Sequence, residues 1–107
     1  MSIPVDLTDL ATSLANYPWG YFITVGEQQV AHSLAVPTDY RDGVFHLQAG
    51  RGTRANAAAR PQVSMVFPGA DGTAYSLVID GTASVADDGV QFAPSNAVLH
   101  RPALRND

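Results

Sequence analysis

The chain has 107 residues, 46% of them apolar and 15% charged, which suits one folded domain with a sparse polar surface. A net charge of −4 argues against broad binding to nucleic acid or to acidic membranes. With no cysteine, disulfides, thiolate catalysis and cysteine-based zinc sites are excluded.

The N-terminus carries Asp6 and Asp9 and lacks a basic-then-apolar pattern, so no signal peptide is expected. The longest apolar run, around residues 19 to 25, is too short to span a bilayer, and a cytoplasmic protein is the simplest expectation. Leu7, Leu10 and Leu14 stand at helical spacing in residues 6 to 15, with Asp6 able to cap the start and Pro18 to end the segment. The aromatic and β-branched run WGYFITV (19–25) predicts a strand. A GEQ turn follows, and QVAHSLAV (29–36) predicts the returning strand, stopped by Pro37. TDYRDG (38–43) is a polar loop before a third strand, VFHLQ (44–48).

A short helix is expected over roughly 53 to 59, closed by Pro61, and QVSMVF (62–67) predicts a fourth strand. TAYSLVIDGTASVA (73–86) is long for one strand. A strand bent at a bulge on Asp80-Gly81 explains it better than a hairpin there. DDG (87–89) turns into VQFA (90–93), and the tail from 94 to 107 begins apolar at Val98-Leu99 and ends polar. Without repeats or linkers, residues 1–107 read as one mainly β domain: a six-stranded antiparallel barrel with one N-terminal and one inserted helix.

Positive charge gathers where the third strand ends. All six basic residues are arginines, three of them (Arg51, Arg54 and Arg60) lie within ten residues, and no Asp or Glu occurs between Gly43 and Ala70. Gly50 and Gly52 let a ligand approach the backbone, and the following helix offers unpaired N–H groups and the positive end of its dipole. Arginine's planar fork of donors suits phosphate. Together these features favour an anion, most simply a phosphate monoester; the competing explanation is a solvated turn whose arginines pair with Asp residues elsewhere. GRGTR has the spacing of neither the dinucleotide fingerprint nor the Walker loop, which disfavours a parallel nucleotide-binding sheet.

The order of these pieces, with TRAN…RPQVSMVF and VIDGTA as the most telling runs, resembles the pyridoxamine 5′-phosphate oxidase-like family of split β-barrels, and its small actinobacterial-type members most closely. The resemblance covers roughly residues 10 to 85. It implies a homodimer with two FMN sites built from both chains. Phosphate would be held by Arg51, Thr53 and Arg54, and the isoalloxazine ring would be lined by His32, Ser33 and Leu34, with Leu47 and Gln48 close by. Hydride chemistry of an FMN-dependent oxidoreductase or flavin reductase follows, with NAD(P)H or a small molecule as partner. Relatives that bind F420 or haem make those the alternative cofactors, and a non-catalytic dimeric module is the alternative function. Two departures stand out: many relatives carry a lysine in the phosphate loop, and this chain has none. It is also shorter than true pyridoxamine phosphate oxidases and lacks their C-terminal substrate-binding extension, so vitamin B6 oxidation is not expected.

No metal site is expected. His32 and His46 would be neighbours across a hairpin centred near residue 39, but two imidazoles without a third ligand make a poor zinc site. His32, His46 and His100 could each serve as a haem axial ligand, although structural or solvent-facing roles are the simpler expectation. Asp80 belongs to the bulge rather than to catalysis. Ser33 and Ser76 lack the Gly-x-Ser-x-Gly elbow of a serine hydrolase. Trp19 and Tyr21 alternate on one strand and should share a core or interface face.

Overall fold

The computed structural model describes residues 2–103; the polar end of the tail, 104–107, lies outside them. Asp6 caps the first helical segment by accepting from the Thr8 N–H at 2.9 Å. The expected single helix is broken into a 3₁₀ turn (Leu7–Asp9), a short α1 (Leu10–Ser13) and a second 3₁₀ turn (Leu14–Asn16). Thr8, Thr12 and Ser13 are poor interior helix residues, and the Thr8 side chain is already bonded to Asp6. The apolar spacing still serves its purpose, because Leu10 and Leu14 are buried.

Among the described residues eight strands form instead of six: β1 (Ser2–Val5), β2 (Trp19–Val25), β3 (Ala31–Pro37), β4 (Tyr40–Arg41), β5 (Val44–Gln48), β6 (Gln62–Phe67), β7 (Ser76–Ala86) and β8 (Gly89–His100). The two additions are short and carry little pattern: β1 is SIPV, interrupted by Pro4, and β4 is two residues long. α2 (Arg51–Ala59) begins two residues earlier than the sequence suggests. All pairings are antiparallel, in the order β3-β2-β6-β7-β8-β5-β4, with β1 joining β8 off this path. The long β8 makes this possible: one edge pairs with β7, while the other pairs with β5 at residues 89–92 and with β1 at 97–100.

β7 is one continuous strand, and its register with β8 shifts between Asp80 and Gly81, as the bent-strand expectation requires. The curled sheet has one buried face. The four phenylalanines of the chain, Phe22, Phe45, Phe67 and Phe92, are each at most 1% exposed and come from four strands. Phe45 sits 5.6 Å from Phe67 and 5.8 Å from Phe92 between ring centroids, so β5 is drawn onto the same core as the rest. At about 1.5–3 kcal/mol for each fully buried ring, this cluster is a large part of what the curled sheet gains by burial. α2 caps the concave face, with Ala57 fully buried. Among the described residues no helix is long and apolar enough to cross a membrane.

The expected hairpin between the strands of His32 and His46 does not form. Among the described residues β3 pairs only with β2, and β5 pairs with β8 and β4, so the two histidine-bearing strands face one another across the open side of the curl.

Candidate functional site

β3 is an edge strand, so half of its backbone groups have no sheet partner. The alternation of an antiparallel pair decides which half. Gly26 donates to Val30 O at 2.9 Å and Thr38 to Pro18 O at 3.0 Å, which places hydrogen-bonded pairs at His32, Leu34 and Val36. The N–H and C=O groups of Ser33 and Ala35 therefore point away from β2, along the free edge. β5 shows the same alternation. His46 N–H donates to Asp39 O at 2.8 Å on one side and Ala49 N–H to Asp88 O at 3.2 Å on the other, leaving the Gln48 backbone groups on the side that β4 does not cover.

Between these two free edges lies a cleft of about 620 Å³, with Leu34, Leu47 and Val90 among its apolar walls and His46, Gln48 and Gln91 among its polar ones. Its mouth carries Asp39 and Arg41 on one side and the Asp87-Asp88 turn on the other. Arg41 Nε donates to Asp39 Oδ1 at 2.7 Å and Nη2 to Oδ2 at 3.2 Å. That hydrogen bonding, with a smaller contribution from charge, holds the Asp39 carboxyl below its ordinary range. The pair therefore persists at neutral pH and is lost only as pH falls through that lowered value.

Leu34 also borders a second depression of about 710 Å³, shared by His32, Gly50, Gly52, Thr53, Asn56 and the β2–β3 turn. α2 starts at its floor. Gly50, the residue before the helix, has extended backbone and offers no side-chain cap, and Arg54 N–H to Gly50 O is the first helical bond. The N–H groups of Arg51, Gly52 and Thr53 thus have no partner within the helix. A Cβ on Gly50 or Gly52 would meet nothing within 4 Å and would project into open space, so both glycines leave room where a ligand's backbone contact would form.

The structure thus brings His32, Leu34 and Thr53 to the α2 depression and Leu34, Leu47 and Gln48 to the neighbouring cleft. Ser33 reaches the free edge through its backbone, while its side chain points to the opposite, outer face. The arginines divide. Arg51 is exposed at the helix start, and no hydrogen bond or ion pair to it occurs among the described residues. Arg54 folds back and donates to Ala49 O at 2.6 Å, securing the elbow after β5. Arg60 donates to Val25 O at 2.6 Å and ties the far end of α2 to β2. Among the described residues none of the three pairs with a carboxylate, so the ion-pair explanation finds no support there. Asn56 is a lining residue that closes the TRAN run but received no role from it; the signal that could have found one is Thr24, a polar side chain in the inward row of β2 that needs a buried partner.

Among the described residues no group of three or more His, Cys, Asp or Glu side chains comes together. His100 is exposed at the end of β8. Asp80 accepts a 2.6 Å hydrogen bond from Ser64 Oγ on the outer face, away from both depressions.

No family model matches the chain. Two curated proteins, both uncharacterized, from Mycobacterium bovis and Mycobacterium tuberculosis, are 36% identical to it over 116 residues, spanning 92% of this chain and 82% of each relative. Among solved structures, a proposed pyridoxamine 5′-phosphate oxidase from Listeria innocua superposes with a TM-score of 0.74 at 12% identity, covering 87% of this chain and 96% of that one. An FAD-binding protein from Mesorhizobium loti gives 0.71 at 12% identity over 92% and 94% of the two chains. The haem storage protein of Vibrio cholerae gives 0.60 at 13% identity over 83% and 88%. The fold is therefore the split barrel of pyridoxamine 5′-phosphate oxidase-like proteins. Within it, the chain belongs to one family with the two mycobacterial proteins.

Proposed function

We propose that this is a cytoplasmic FMN-binding oxidoreductase that works as a homodimer, with the flavin laid along the two adjoining depressions. The slot between the free edges of β3 and β5 carries the reading. It combines apolar walls with unpaired backbone donors and acceptors, the combination that a flat heterocycle with a polar rim requires. The Ser33, Ala35 and Gln48 backbones would bond the ring's rim, and Leu34 and Leu47 would contact its faces. The open helix start and Thr53 would take the phosphate, with His32 beside it. Arg51, exposed at the first position of α2 and outside the lining itself, would reach over to it. The bound flavin would supply hydride transfer between NAD(P)H, or another small molecule, and an acceptor. The flavin-binding neighbour supports this choice, and the F420 ring would meet the same donors.

The outer sheet face supports the homodimer. Ala35, Tyr21, Val66, Val78, Val98 and Pro4 stand side by side across six strands, and Trp19 packs on Tyr21 with ring centroids 5.1 Å apart. Such an apolar row on an open sheet face calls for a covering partner, and a second copy supplies the same row. Val66→Asp is expected to turn a dimer into a monomer in sedimentation experiments; an unchanged dimer would place the interface elsewhere.

An absorbance spectrum of the purified protein tests the cofactor. The expected result is a yellow protein that dithionite bleaches and that NADPH or another donor also reduces. A haem spectrum would favour the haem-binding alternative, which the Vibrio cholerae neighbour supports. A colour that dithionite bleaches but no donor does would favour the non-catalytic module, which gains support from the cleft mouth, where Asp39 and Arg41 neutralise each other. A colourless protein that ignores added flavins, deazaflavins and haem would overturn the proposal.

A further inference from the structure

We propose that Asn56 reads the hydroxylated chain of the ligand in the α2 depression, and that Thr24 and Arg60 are positioning residues that lock its amide for that purpose. The inference rests on the flavin reading above and assigns it three residues outside the phosphate contact.

Thr24 lies on the inward row of β2 with Gly20 and Phe22, and at 1% exposed it is a polar side chain inside an apolar core. A hydroxyl buried there needs a partner. Asn56 provides it, with Nδ2 donating to Thr24 Oγ1 at 3.3 Å. From the other side Arg60 Nη2 donates to Asn56 Oδ1 at 3.4 Å, while Arg60 Nε is held by Val25 O. Arginine only donates, so the amide oxygen is the atom that faces it, and a flipped amide would lose the bond to Arg60.

An asparagine side chain has two N–H donors and two acceptor lone pairs. Thr24 and Arg60 use one of each. One donor and one lone pair remain, on a side chain that lines the depression beside Gly50, Gly52 and Thr53. A hydroxyl, which both donates and accepts, satisfies that pair; an ionised phosphate, which only accepts, satisfies half of it. Asn56 is therefore matched to a polyol such as a ribityl chain, leaving phosphate to the helix start and Arg51.

Three flavins separate these contributions: lumiflavin has the ring without the chain, riboflavin adds the polyol, and FMN adds the phosphate. Asn56→Ala is expected to weaken riboflavin and FMN by the same factor, about three- to tenfold as for a neutral hydrogen bond, and to leave lumiflavin unchanged. Thr24→Val keeps the core volume and should give the same pattern at smaller size. Asn56→Asp, which retains only acceptors, should cost FMN more than riboflavin. For Asn56→Ala, equal losses for all three flavins, or a loss for FMN alone, would overturn the proposal. A wild-type protein that binds none of them would instead defeat the flavin reading. The lock is also read without any flavin: the Asn56 side-chain amide signals in NMR should move in Thr24→Val and in Arg60→Ala, and unmoved signals would overturn the lock.

Discussion

Arg51→Ala should lower FMN affinity by about 1.5–3 kcal/mol, roughly 10- to 150-fold, and leave riboflavin almost untouched, because the loss is that of one charge-assisted hydrogen bond to phosphate. Arg51 is exposed and engages no other side chain among the described residues, so its removal should hardly change folding. Arg54→Ala should behave differently, although the two arginines are three residues apart and look equivalent in sequence. Its guanidinium is spent on Ala49 O, at the end of β5 and next to Gln48. Truncation leaves that carbonyl without its partner in a part-buried elbow, at a cost of about 1–3 kcal/mol in stability. FMN and riboflavin should then weaken together, because the elbow sets both the β5 edge and the start of α2. Fluorescence titrations with the two flavins, alongside urea unfolding, separate these outcomes. Equal losses of FMN and riboflavin in Arg51→Ala would remove it from the phosphate contact. A selective loss of FMN in Arg54→Ala, with stability intact, would mean that its guanidinium leaves the carbonyl for the ligand.

What the sequence carried and what it hid divide along the range of the interactions. The alternation of Trp19 to Val25 is local, and β2 lies where it predicts. Asp6 needs only its near neighbours to cap a turn, and the Gly81 bulge is written in one dipeptide within an otherwise regular alternation. The histidine hairpin does not form because adjacency in chain order does not fix which strands pair. Phe45 pairs instead with Phe92, a partner that no local pattern announces. β1 escaped for the same reason, since SIPV becomes a strand only where the far half of β8 offers its edge. The positive elbow was legible as charge, but the division of labour among its arginines depends on which carbonyls lie within reach in three dimensions. Asn56 and Thr24 mark a middle case: alternation along β2 puts a threonine in the inward row, but no local pattern names its partner 32 residues away.

Gly81→Ala is expected to be among the most damaging single substitutions, costing about 3 kcal/mol or more. A Cβ there would stand 2.2 Å from Ala93 O and 2.9 Å from two ring carbons of Phe92. The ring belongs to the closely packed phenylalanine cluster, and the carbonyl is backbone in the paired strand, so neither has free space to move into. Relief would require β7 and β8 to part at the bulge, where Pro94 already supplies no N–H. The same bend carries the two strands on to their turn, and Ala86 to Gln91 form one side of the cleft, so the substitution should weaken flavin binding as well as stability. Gly72→Ala is the control. It has nothing within 4 Å and an ordinary φ, and should lie within about 0.5 kcal/mol of the wild type. Urea unfolding measures both. A Gly81→Ala protein as stable as the wild type would show that the strands bend there without needing the missing side chain. It would also reopen a chemical role for Asp80, which the bulge and the bond from Ser64 now account for.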